Sequence, residues 1–152
     1  MADNQRKNYY PPVGFYFNVK VDGITGINEA SFQEVSGFEA KIQTDDIQEG
    51  GVNQFARKLP KGVQYTNLIL KRGLIKSSPL MDWINNAVEN FIFEPKLVEV
   101  NLLFQNGTPS INWTFINAYP VSVKISDFNA QDNKIVVETL ELAYYYFVRT
   151  DN

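Results

Sequence analysis

Asp127, Asn129 and Gln131 at alternate positions, with Glu138 eleven positions after Asp127, have the spacing with which a loop wraps a hard cation such as calcium. The sixth position of such a loop needs glycine for its sharp turn, and here it is Asp132 between strand-like flanks, so an ordinary polar turn is the better reading. Carboxylate pairs come next: Asp45 beside Asp46, and Glu39 with Glu49, are the residue types for acid–base work. Glycoside chemistry would also need a cleft that raises one carboxyl's pKa and aromatic walls around it, and this segment has the acids without the walls. Gly50-Gly51 is followed by no Gly-Lys-Ser/Thr and opens no helix, which makes it a turn and not a phosphate cradle. Asn106-Gly107-Thr108 and Asn112-Trp113-Thr114 have the pattern of glycan acceptors, yet the first is a hairpin signal and the second lies inside a strand.

The chain has no histidine and no cysteine, which removes the commonest general base, the commonest metal ligands, thiol nucleophiles and disulfides together. No catalytic, cofactor-binding or metal-ligating residue is assigned, and none of the remaining patterns points to an enzyme. A net charge of −3 with no cluster of Lys and Arg argues against neutralising nucleic-acid phosphates. The polar start, Met1 to Asn8, lacks the apolar core of a secretory signal, and no run approaches the ~20 apolar residues that span a bilayer. Synthesis in the cytoplasm of the producing cell is expected, with any exit by another route.

The elements that must carry these residues are mostly strands. At 152 residues the chain is expected to be one domain, 1–152, with a single core. Aromatics make up 14% of it, and Phe and Tyr far outnumber Met, a balance that favours sheet over helical bundle. Residues 1–12, ending Tyr9-Tyr10-Pro11-Pro12, read as an extended N-terminal arm whose tyrosines need a surface, their own domain's or a partner's. Strand patterns cover Val13 to Val21, Ala30 to Ile42 with a bend at Gly37, Val63 to Arg72, Leu97 to Phe104, Ile111 to Ala118, Val121 to Ile125 beyond Pro120, and Ile135 to Arg149. Asn106-Gly107 joins two of them as an antiparallel hairpin.

One helix, 79–91, starts at Ser78-Pro79 and carries Leu80, Trp83, Ile84, Ala87, Val88 and Phe91 as an apolar stripe expected to be core. The sum is mainly β: an antiparallel β-barrel or sandwich of about seven strands with one packed α-helix. Residues 40–62 are too long for a hairpin loop and too polar for a buried element, so they read as a long assembly loop.

Phe32-Gln33-Glu34-Val35-Ser36-Gly37-Phe38-Glu39, Glu49-Gly50-Gly51-Val52-Asn53 with Lys58-Leu59-Pro60, and Tyr65 through Gly73 resemble successive signatures of the tail-tube protein family of contractile phages and contractile injection systems. The resemblance continues through Leu80-Met81-Asp82-Trp83, Gly107-Thr108-Pro109, Trp113 to Pro120 and Ile135 to Leu142, nearly the whole chain in order. Departures at Ile47-Gln48, at Tyr119 and at Tyr144 to Phe147 leave the branch of the family open.

The resemblance implies strands completing a multi-subunit barrel in a homohexameric ring, rings stacking into an inner tube, and a contracting sheath that drives the tube through an envelope. It implies no enzymatic activity. The partners it implies are the chain itself, a sheath protein, baseplate or spike and tube-terminator proteins, and protein cargo in the lumen, with nucleic acid only as passing cargo of a phage. The residues expected at the subunit and ring interfaces are Tyr9, Tyr10, Asp45, Asp46, Glu49, Gly50, Gly51, Asn53, Arg57, Lys58 and Lys61. Two alternatives stay open: a tube-initiator ring at the baseplate, and a monomeric β-barrel that stacks a ligand on Trp113, Tyr16 and Tyr144 to Tyr146.

Overall fold

The computed structural model describes residues 16–24, 32–51, 54–76 and 78–151. Among them are nine strands and one helix: β1 (Phe17–Val21), β2 (Phe32–Ser36), β3 (Ala40–Ile47), β4 (Arg57–Tyr65), β5 (Leu68–Gly73), α1 (Pro79–Asn90), β6 (Lys96–Leu103), β7 (Pro109–Ile125), β8 (Val137–Ala143) and β9 (Tyr146–Asp151). Every pairing is antiparallel. The main sheet runs β1-β6-β7-β8-β5-β2, with β9 also on β7, while β3 and β4 pair only with each other.

Two-residue alternation places the core. Val19 and Val21 of β1, Leu68 and Leu70 of β5, Val98 and Val100 of β6, and Leu140 and Leu142 of β8 point inward, joined by Phe32 and Phe115. Leu80, Trp83 and Ile84 of α1 cap this core. Ser78 begins the helix in extended conformation, its Oγ accepting the Met81 N–H at 3.2 Å, with Pro79 following as a first helical residue that has no N–H to satisfy.

The expected stripe is buried only through Ala87. Val88 is exposed and Phe91 is 81% exposed, because Phe91 turns left-handed (φ 54°, ψ 35°) and ends the helix, while the Trp83 indole donates to the Glu94 carbonyl at 2.8 Å beyond it.

The strand count rises from about seven to nine because three expected segments divide and two merge. The stretch from Ala30 to Ile42 splits into β2 and β3 at Gly37, whose φ of 94° and contact with Asn67 leave no space for a Cβ. Val63 to Arg72 breaks at Thr66-Asn67, and Ile135 to Arg149 breaks at Tyr144-Tyr145. Conversely, Pro120 does not end a strand: β7 runs 17 residues through it, absorbing it at a register shift between Pro120 and Ser122. Residues 111–115 of β7 pair with both β6 and β9, and residues 119–125 pair with β8.

The span 40–62, expected as a loop, is instead most of a β-hairpin. Eight residue pairs from Ala40↔Tyr65 to Ile47↔Arg57 form its ladder, with a bulge between Gln43 and Thr44. Among the described residues none outside it covers either face, so no buried–exposed alternation marks these strands in the sequence.

Two polar features lie within the sheets. The Arg72 Nε donates to Glu138 at 2.9 Å with both side chains 1% exposed, and the Arg72 Nη2 donates to the Ser78 hydroxyl at 3.0 Å, tying β5 and β8 to the start of α1. Asn101 donates to Asn18 at 2.8 Å and accepts from Asn112 at 2.6 Å, an amide ladder across β6, β1 and β7.

Candidate assembly interface

The hairpin β3–β4 is rooted in aromatic packing. At one root, Phe38 meets Trp113 (centroids 5.2 Å apart) and the buried Phe115 (5.6 Å); at the other, Tyr65 meets Phe147 (5.3 Å) and Tyr144 (5.9 Å). Phe115 also touches Tyr144 and Phe147, so both roots converge on one core ring. The Thr66 hydroxyl donates to the Gly37 carbonyl at 2.9 Å and the Thr66 N–H to the Glu39 carbonyl at 3.2 Å, fixing the angle at which the hairpin leaves. Tyr144 sits in this cluster with its hydroxyl shielded and without a hydrogen-bond partner, and its pKa is pushed up to about 12, first by burial and then by Tyr65.

Beyond its root the hairpin stands in solvent. Four of the six charges expected to meet a neighbour are paired within it, Arg57 Nη1 lying 3.1 Å from Glu49 and Lys61 Nζ 3.4 Å from Asp45, while Asp46 and Lys58 are opposite each other in register. Such exposed pairs contribute about 0–1 kcal/mol each. Gly50 and Gly51 are at the tip, Gly51 with φ 97°, a left-handed turn. Tyr9, Tyr10 and Asn53 lie outside the described residues, as do residues 1–12, the proposed arm.

The sequence reading overlooked the apolar side chains of this element. Ile42, 63% exposed, stands opposite exposed Val63; Ile47 and Leu59 lie on the other face; Phe55, 65% exposed, is near the tip. The signal was present as isolated apolar residues in a polar run, but without a covered face they formed no pattern. A two-stranded hairpin that projects this much apolar surface is only marginally stable alone, and exposed apolar surface of this kind marks a contact site.

Among the described residues no group of three or more acidic, histidine or cysteine side chains could hold a metal ion, and no helix is long and apolar enough to cross a membrane.

The family model of the T4-like virus tail tube protein gp19 matches residues 13–148. No curated protein matches the chain. A chain of the anti-feeding prophage baseplate, a six-fold symmetrised cryo-EM structure, superposes with a TM-score of 0.84 at 27% identity, over 93% of this chain and 97% of its own. A chain of the PVC extracellular contractile injection system, from the sheath–tube complex in its extended state, gives 0.81 at 28% identity, over 100% and 99%. Hcp1 from Flavobacterium johnsoniae shares the fold, with a TM-score of 0.60 at 19% identity over 91% of this chain and 100% of its own. The chain belongs to the T4-like virus tail tube protein gp19 family, and its role is that of a structural tube subunit.

Proposed function

We propose that the chain forms homohexameric rings that stack into the inner tube of a contractile injection system or phage tail, with the β3–β4 hairpin as the element that bridges one ring to the next. The observation that carries the reading is the hairpin itself: a fixed root, two internal charge pairs, and apolar side chains that none of the described residues covers. A contact repeated along an axis without closing gives a filament, and one repeated around an axis with closure gives a ring.

A surrounding sheath protein, a baseplate or spike, and a terminator are the partners this role requires, and the similarity to a chain of a sheath–tube complex supports the first. The lumen would carry protein cargo, or nucleic acid if the particle is a phage. We assign the ring and ring-to-ring contacts to Tyr9, Tyr10, Asn53 and the hairpin residues Asp45, Asp46, Glu49, Gly50, Gly51, Arg57, Lys58 and Lys61, and add Ile42, Phe55 and Val63, whose exposure supports the same role.

Negative-stain microscopy and sedimentation of the purified chain test this. Rings or tubes are expected, whereas a persistent monomer that binds a sugar saturably would overturn it. The similarity to a baseplate chain favours one second reading, an initiator ring present once per particle; subunit copy number per particle separates the two.

A further inference from the structure

The main sheet does not close on itself. Its path ends in β1 and β2, and among the described residues each of these pairs with one neighbour only. Toward Val21 and Phe32 the seam between them is packed shut by buried core side chains. Toward Phe17 and Phe38 it opens into a cavity of about 460 Å³ walled by Phe17, Val35, Phe38, Val100, Leu102 and Trp113. The polar side of its mouth is Gln33 and Glu34, the latter 3.0 Å from Lys71. An apolar hollow of this size beside a close-packed core lacks the contacts that the rest of the interior has.

The occupant is indicated by the segment that precedes β1 at its rim. The Tyr16 carbonyl accepts the Leu103 N–H at 2.8 Å, so the backbone is held to β6 there, and fifteen residues precede it from the cavity's mouth. They include Tyr9-Tyr10-Pro11-Pro12, which favours the polyproline II conformation; its four residues span about 12 Å, need few backbone partners, and match the aromatic-lined grooves that recognise such segments. Its tyrosine hydroxyls suit the polar Gln33–Glu34 rim. Tyr9 and Tyr10 are expected at the subunit interface, which makes the arm of an adjacent copy the occupant.

We propose that the cavity between β1 and β2 receives Tyr9-Tyr10-Pro11-Pro12 of an adjacent copy of this chain, an exchange of arms that closes the seam of each subunit. This rests on the tube reading and gives it a second, separate contact beside the hairpin.

The absence of native cysteine makes the test clean. The variant carrying Tyr10→Cys with Glu34→Cys is oxidised, or treated with a short bis-maleimide that tolerates imperfect geometry, then run without reductant while the same sample is imaged. A ladder of covalent multimers, absent from either single variant, is expected. Rings or tubes with only internally linked monomer, or with no link by either chemistry, would overturn the arm exchange and leave the tube reading standing. A ladder without rings or tubes would support the exchange and overturn the tube. Independently, Tyr9→Ser with Tyr10→Ser should leave the melting curve of the domain unchanged while the assembled fraction falls roughly tenfold or more; unchanged assembly would count against the proposal.

Discussion

Residues 66 positions apart in sequence form the buried pair Arg72–Glu138, and nothing in the local pattern of either strand announces it. Each stands at an inward position where the alternation calls for an apolar side chain, and their compatibility with the core depends on meeting there. Glu138→Gln keeps shape but strands the guanidinium, and Arg72→Met strands the carboxylate, so each should cost roughly 3–5 kcal/mol, read as a lowered denaturation midpoint; the double change to Met and Leu should recover most of the loss. If the double variant is as unstable as the singles, the cost lies in packing and not in the charges.

Tyr144 gives a pH prediction whose sign is fixed. Its folded-state pKa, about 12, lies above the ordinary value of 10.0, so the folded protein holds the proton more firmly than the unfolded chain does. The stabilising contribution is whole below pH 10 and is lost as pH rises toward 12. Tyr144→Phe should therefore flatten the decline in thermal stability between pH 10 and 12 relative to the parent, and identical pH profiles would sink the assignment.

The elements were legible in proportion to how fully one face of each is covered. The Ser78-Pro79 start of α1, the Asn106-Gly107 turn, and the inward positions of β1 and β6 follow from caps, turn chemistry and alternation that the fold then uses. The hairpin was not legible, since no described residue outside it covers either face of its strands, nor was the passage of β7 through Pro120, which a register shift makes possible. At this scale the expected outcomes concern the hairpin and its base. Ile42→Asp with Val63→Asp should leave the melting temperature within a few degrees of the parent, these side chains being exposed, while abolishing stacking of rings into tubes; normal tubes would refute the bridging role. Deleting Asp45 to Val52 should act likewise. Gly37→Ala, by contrast, forces a Cβ against the Asn67 carbonyl at positive φ and should destabilise the whole domain by more than about 1 kcal/mol.

For the whole molecule, the balance between charge and apolar contact decides how an assembly answers to salt. The hairpin's Arg57–Glu49 and Lys61–Asp45 pairs are internal, so the apolar Ile42, Phe55 and Val63, more than charge, are expected to carry the contact with a neighbour. Raising NaCl from about 0.1 M to 1 M, which shortens the screening length from ~10 Å to ~3 Å, should leave the assembled fraction unchanged or higher by sedimentation; dissolution into monomers would mean that charge holds the tube together. The hairpin root has a mechanical consequence as well. Hydrogen bonds of an antiparallel ladder lie across the strands, so an axial force that drives β3 and β4 past each other loads the whole ladder at once instead of unzipping it pair by pair. Through the proposed ring-to-ring contact such a load would arrive at Phe38, which packs on Phe115 in the middle of the domain, and at Tyr65, which reaches Phe115 through Phe147. An element that looks like a tether in solution would then work as a strut under compression.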